Sequence, residues 1–179
     1  MQSLGLYVHI PWCVRKCPYC DFNSHEAKSF PEAEYVARLR GDMEAEAARG
    51  LGQNLTSVFF GGGTPSLFSP GSIAEILTAA DRLLGLSGGV EVTLEANPGT
   101  ADAANFRGYH AAGVNRLSLG VQSFDDRCLE ALGRIHSAAD ALGAIQMAWD
   151  SGFDNVNIDL MHGLPAQNVA LAEIGRAHV

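Results

Sequence analysis

The sequence predicts an α/β fold built on a parallel sheet, and three observations carry that expectation. Apolar runs suited to strands recur at 6–10, 56–60, 90–95, 117–121 and 155–161. Helical patterns separate them, as right-handed βαβ units require. Polar or small residues (His9, Gly61 to Gly63, Glu95, Gln122 and Asp159) fall at or near the C-terminal ends of the runs. A parallel sheet must be covered on both faces, so a doubly wound sheet and a barrel both fit this pattern.

The elements follow in order. After a cysteine-rich loop, Ser29-Phe30-Pro31-Glu32 reads as a capping box, opening a helix that puts Val36, Leu39, Met43 and Ala47 on one face and stops near Gly50. The strand at 56–60 runs into Gly61-Gly62-Gly63-Thr64-Pro65. Ser69-Pro70 starts the next helix, with Ile73, Ile76, Leu77, Ala80, Leu83 and Leu84 facing the core and Gly85 ending it. The strand at 90–95 leads through Ala96-Asn97-Pro98-Gly99 to a weaker helix over 100–112, closed by Gly113. After the fourth strand come two helical pieces, 125–132 and one opened by Ser137 and ended by Gly152, then the fifth strand.

With 179 residues, 47% of them hydrophobic, the chain is expected to form one domain with a real core. A net charge of −8, from 20 acidic and 12 basic residues, argues against a broad nucleic-acid surface. No apolar run approaches the ~20 residues of a membrane span, and the first residues lack a signal-peptide layout. A cytoplasmic protein is therefore expected. Of four cysteines, three lie within eight residues, which fits a reducing compartment and metal binding better than disulfides.

Those three, Cys13, Cys17 and Cys20, follow the strand Leu6-Tyr7-Val8-His9-Ile10 and Pro11-Trp12. Their spacing, Cys-x3-Cys-x2-Cys, in a loop with little apolar surface points to one metal centre rather than to inert buried thiols. Thiolates serve both zinc and iron-sulfur clusters. A closed zinc site wants a fourth ligand, which would be distant Cys128 or His9 or His25. Three local ligands alone suggest an open coordination position. Cys128, in a helical pattern, reads as a core residue, as do Met43, Met147 and Met161.

Tyr7-Val8-His9-Ile10-Pro11-Trp12-Cys13, followed by Cys17, Pro18, Tyr19 and Cys20, resembles the radical S-adenosylmethionine (SAM) enzymes, in the coproporphyrinogen dehydrogenase-like branch. The resemblance runs from Leu4 to about Ala170 and implies a partial (β/α)6 barrel. It also implies that Cys13, Cys17 and Cys20 hold a 4Fe-4S cluster whose fourth iron chelates SAM. Within the branch, Cys20-Asp21-Phe22-Asn23-Ser24 is similar to the heme chaperones: the coproporphyrinogen enzymes carry a further cysteine where Phe22 stands. Heme and heme-accepting proteins are then the implied partners, with a homodimer of the full-length protein left open. The alternative is oxidative decarboxylation of coproporphyrinogen III to protoporphyrinogen IX, and a zinc-binding structural domain is a third reading. Either porphyrin ligand needs only a local basic patch.

The resemblance assigns further residues. Gly62, Gly63 and Thr64 belong to the turn that hydrogen-bonds the methionyl amino group of SAM, and on its own the turn already lets a ligand approach bare backbone. It matches no phosphate-binding pattern. Tyr7 is expected against bound SAM, Glu95 and Arg134 at its methionine part, and Gln122 and Asp159 at the ribose hydroxyls. His9 reads as a satisfied residue beneath the cluster loop, while His25 and His162 are candidate heme ligands at the mouth. Relative to the family the chain stops after Leu164-Pro165, before the fifth helix, so a fragment is expected, with a radical SAM core over 1–172. Residues 173–179 resemble a translated sequencing adapter and are expected to be a non-native tail. An open fifth strand would leave unpaired backbone groups, so low stability or aggregation in isolation is expected.

Overall fold

The computed structural model describes residues 4–50, 54–165 and 167–176, and the side chains of this set up to 173. Residues 177–179 of the expected tail lie outside them. In chain order the elements are β1 (Leu4–Ile10), β2 (Trp12–Cys13), β3 (His25–Glu26), α1 (Glu32–Ala48), β4 (Leu55–Gly62), α2 (Pro70–Leu84) and β5 (Leu86–Ala96). Then follow α3 (Ala103–Ala112), β6 (Arg116–Gln122), α4 (Asp126–Ala131), α5 (Ala138–Asp150), β7 (Val156–Leu160) and α6 (Val169–Arg176).

Five strands form one parallel sheet in the order β1-β4-β5-β6-β7. This order decides between the two architectures. A doubly wound sheet reverses direction at a switch point, whereas here each strand is added on the same side of the last. With right-handed crossovers, all helices then lie on one face and the other face becomes the inside of an incomplete barrel. The packing agrees: α1 lies beside α2, α2 beside α3, and α3 beside α5.

Alternation along the strands separates the two faces. Val8, Ile10, Val58, Phe60, Val92, Leu94, Leu117 and Leu119 are buried in one core with Ile73, Ile76, Phe106, Tyr109, Ile145 and Ala148 of the helices. The intervening residues, Tyr7, His9, Phe59, Gly61, Thr93, Glu95, Ser118 and Gly120, point to the inner face. Register puts Glu95 opposite Ser118 and Ser118 opposite Asn157, so one polar row crosses the sheet near its C-terminal edge.

Helix ends follow the local chemistry, with one correction. Ser69 caps α2 by accepting from Ser72 N–H at 3.2 Å, and Ser137 and Asp140 form a full capping box on α5. The expected capping box at Ser29 and Glu32 is absent: Pro31 is the N-cap of α1 and makes no side-chain cap bond. The Glu32 carboxylate is spent instead on Ser69, accepting from its N–H at 2.8 Å and its hydroxyl at 2.7 Å. Burial alone would raise the carboxyl, but hydrogen bonds from Ser72 and Ser69 together hold it below its usual range. A long-range partner has displaced the local one, tying the starts of α1 and α2 together.

The two-residue pairing of β2 with β3 has no counterpart in the sequence reading. His25 N–H donates to Pro11 O at 2.7 Å and Ala27 N–H to Cys13 O at 3.0 Å, closing the intervening loop at its base. Helix α6 also lies beyond the elements expected from sequence, and it runs across the expected boundary at 172. No helix among the described residues is long and apolar enough to cross a membrane.

Candidate metal and cofactor site

The loop that leaves β1 is fixed from below before it presents any thiol. Trp12 stacks on Phe30 (ring centroids 5.1 Å apart) and meets Tyr35 edge-on at 4.7 Å, and Phe30 stacks on Phe68. Each such aromatic pair contributes roughly 0.5–1.5 kcal/mol beyond its buried area. On the inner side, His9 Nε2 bonds to Asn23 O at 2.8 Å while Nδ1 lies 3.3 Å from the Tyr7 hydroxyl. Both ring nitrogens are thus engaged, as expected of a satisfied histidine, and the Asn23 bond fixes the far end of the loop. Lys16 Nζ adds two bonds, to Phe22 O at 3.1 Å and Ser24 O at 2.9 Å.

Cys13, Cys17 and Cys20 are free thiols lining one cleft at the C-terminal end of the sheet. Cys13 is buried, and Cys17 and Cys20 are half-buried. The same cleft is lined by Gly62, Gly63, Thr64, Glu95, Gln122, Arg134 and Asp159. Of the eleven residues assigned from sequence to the cluster and SAM, ten are therefore brought to one place, the exception being Tyr7. Tyr7 sits on the inner face but off the cleft, 57% exposed and stacked on Phe59 at 6.0 Å. His25 and His162, the candidate heme ligands, are exposed and are not among the residues lining the cleft. Cys128 is buried in α4 with Leu132 and Leu164, also away from it.

The glycine turn is held by backbone on one side and by a carboxylate on the other. Gly63 N–H donates to Ile10 O at 2.7 Å, Thr64 N–H to Trp12 O at 2.8 Å, and Gly62 N–H to Glu95 Oε2 at 3.1 Å. Gly62 has φ of 118°, and a Cβ there would lie 2.6 Å from the His9 ring, so glycine is required twice over. Burial pushes the Glu95 carboxyl up; Gly62 N–H opposes this and the Asp159 charge adds to it. Asp159 is itself held by Ser118 Oγ at 3.2 Å and Asn157 Nδ2 at 2.6 Å. Gln122 closes β6 with φ of 68°, an uncommon conformation for a side-chain-bearing residue, while its carbonyl accepts from Met161 N–H at 2.9 Å.

Sequence reasoning passed over several lining residues: Arg15, Lys16, Tyr19, Ser24, Asn97, Ser118 and Gly120. For Ser118 and Gly120 a signal existed, because they alternate with buried Leu117, Leu119 and Val121 and so share a face with Gln122. Arg15 and Lys16 lie inside the Cys-x3-Cys interval, where only the closure of the loop decides which way they face.

The donor set fits an iron-sulfur cluster better than a single ion. Among the described residues, no group of three or more Cys, His, Asp or Glu side chains converges on a single-ion site. A structural zinc draws its thiolates to ~2.3 Å from one point, whereas each thiolate of a cluster takes a different iron. His9 cannot supply a fourth ligand without giving up either its Nδ1 bond to Tyr7 or its Nε2 bond to Asn23.

A family model described as the radical SAM superfamily matches residues 7–174. The chain belongs to the radical SAM superfamily. Among curated relatives, a protein named heme chaperone HemW from Haemophilus influenzae is 52% identical over 94% of this chain and 45% of its own length. The protein of that name from Escherichia coli is 47% identical over 99% of this chain and 48% of its own. A bovine mitochondrial radical SAM domain-containing protein 1 is 46% identical over 94% of this chain and 38% of its own. This radical SAM chain thus spans under half the length of the curated relatives it matches. Among solved structures, E. coli HemN, described as coproporphyrinogen III oxidase and a radical SAM enzyme, superposes with a TM-score of 0.87 at 26% identity, covering 98% of this chain and 41% of that one.

Glu95 yields a testable consequence at this site. Its folded-state carboxyl is raised, so the folded protein holds the proton more tightly than the unfolded chain does. Stability from this group is then fully present below the unfolded value of about 4.3 and declines as pH rises through the folded value. Glu95→Gln removes the charge, so the ligand-free variant is expected to match the parent near pH 4 and to be the more stable of the two at pH 7. Thermal melts at both pH values check this; a variant less stable than the parent at pH 7 would refute it.

Proposed function

We propose that this chain is the cluster- and SAM-binding part of a heme chaperone of the HemW type. In this reading Cys13, Cys17 and Cys20 hold a 4Fe-4S cluster, and the fourth iron is left for SAM. Gly62, Gly63 and Thr64 offer backbone to the methionyl amino group. Glu95 and Arg134 take the methionine part, Gln122 and Asp159 the ribose hydroxyls, and Tyr7 supports the inner face beside Glu95. The cluster, when bound, supplies one-electron chemistry toward SAM. The protein's own share is to hold the ligand between the acidic side of the cleft, Glu95 and Asp159, and its basic side, Lys16 and Arg134. Charges of both signs suit a ligand carrying an ammonium, a carboxylate and a sulfonium. Heme, and proteins that accept it, are the partners this reading implies, in the cytoplasm, with a homodimer compatible with it.

The observation that carries the chaperone over the decarboxylase is Phe22. It lines the cleft, 61% exposed, where the coproporphyrinogen enzymes resembled by this chain carry a further cysteine, and a phenyl ring cannot replace a thiol. The test takes the chain continued to the length of its curated relatives and reconstituted anaerobically. It is incubated with SAM, a reductant and coproporphyrinogen III, and separately titrated with heme. Heme binding without turnover is expected; decarboxylated product would make the protein a coproporphyrinogen dehydrogenase and overrule the argument from Phe22.

A further inference from the structure

Arg134 does more in this fold than the contact with the methionine part of SAM that the family resemblance assigns to it. It follows Gly133, whose φ of 70° turns the chain after α4, and an added Cβ at Gly133 would lie 2.9 Å from Pro18 Cδ. That close approach brings the α4–α5 connection against the cysteine loop. The guanidinium is then fixed: Nη2 donates to Gly120 O at 2.5 Å, while Nη1 donates to Cys17 Sγ at 3.4 Å and to the Tyr19 hydroxyl at 3.4 Å. Nε is buried without a partner. The donors are therefore divided, with Nη1 committed to the cysteine loop and Nε–H unspent.

We propose that Arg134 is a positioning residue that raises the reduction potential of the cluster by donating Nη1–H to the Cys17 thiolate. The inference rests on the cluster assignment made above. Reduction adds an electron whose charge spreads onto the cysteine sulfurs, so a donor on one of them stabilises the reduced form more than the oxidised form. A charged donor strengthens the effect, and the anchor on Gly120 O keeps the guanidinium from swinging away when SAM leaves. Since the donation to Cys17 is already made in the ligand-free fold, the potential is set before SAM binds.

The experiment measures the cluster's midpoint potential without SAM, by EPR-monitored reductive titration of the chain continued to the length of its relatives. It compares the parent with Arg134→Gln and Arg134→Lys. At a fixed solution potential, Arg134→Gln is expected to lower the reduced-to-oxidised ratio about tenfold, equivalent to ~59 mV for a one-electron couple. Lys keeps the charge but not the planar fork, so it should recover only a minor part of that change. An unchanged midpoint in Arg134→Gln, or full recovery by Lys, would overturn the proposal. Should Arg134→Gln fail to hold iron, the parent decides by resonance Raman spectroscopy. Its Fe–S(Cys) stretching bands are expected to shift between H2O and D2O, and bands that do not move refute an N–H···S bond. A parent that binds no iron and no acid-labile sulfide sinks the cluster assignment together with this inference, an outcome distinct from equal potentials in loaded proteins.

Discussion

Cys13→Ala, Cys17→Ala and Cys20→Ala are each expected to abolish cluster assembly, whereas Cys128→Ala leaves the iron-to-protein ratio unchanged. The four thiols differ in place more than in chemistry. Three open onto one cleft, on a loop pinned by the β2–β3 pair, the Trp12 stack and the His9 bond to Asn23. The fourth is 2% exposed in α4, packed with Leu132 and Leu164. Because the loop is fixed at both ends, a missing ligand cannot be replaced by letting the loop slide toward another donor. Loss should therefore be nearly complete in each of the three. Cys128→Ala should instead cost about 1 kcal/mol of stability, the scale of a small core truncation. Iron and acid-labile sulfide analysis after anaerobic reconstitution checks this; a normal ratio in any of the first three variants would remove that cysteine from the ligand set.

Much of this site was readable because each strand carries its own information. Alternation set Glu95 apart from Val92 and Leu94, and glycines marked the turn after β4, where no side chain fits. Parallel strands separated by helices then put the strand ends, and so Glu95, Gln122 and Asp159, on one edge. What the sequence left open was nonlocal. The choice between a doubly wound sheet and a barrel depends on strand order, which no local pattern encodes. Glu32 had a local partner in Ser29 and a distant one in Ser69, and the distant one won because it offers two donors to the same carboxylate. Arg134 could be named from sequence as a contact to the cofactor, but its bond to Cys17 joins residues 117 positions apart. The exposed positions of His25 and His162 likewise depend on how the cysteine loop closes and how the chain leaves β7.

Gly63→Ala is expected to be the most damaging change outside the cysteines. Gly63 shows no left-handed backbone, so the argument is purely one of space. An added Cβ would lie 2.5 Å from Trp12 O and 2.9 Å from the carbonyl carbons of Pro11 and Trp12. These are backbone atoms, which cannot rotate out of the way as a side chain can. They also sit among the bonds that hold the turn, Gly63 N–H to Ile10 O and Thr64 N–H to Trp12 O. Relief of the clash must push apart the end of β4 and the segment that leads into Cys13, separating the proposed SAM turn from the proposed cluster loop. Overpacking of this kind costs roughly 1–3 kcal/mol, and the two strained hydrogen bonds add to it. For a chain of this size the overpacking alone is a fall in Tm of roughly 2–12 °C. Gly88→Ala is the control, since nothing lies within 4 Å of a Cβ at that position in β5. It should stay within about 0.5 kcal/mol of the parent. If Gly63→Ala melts with the Gly88→Ala control and still binds SAM as the parent does, the turn and the loop are not in rigid backbone contact. A variant that melts early and loses SAM while retaining some cluster would show that the two binding elements are held together through this one glycine.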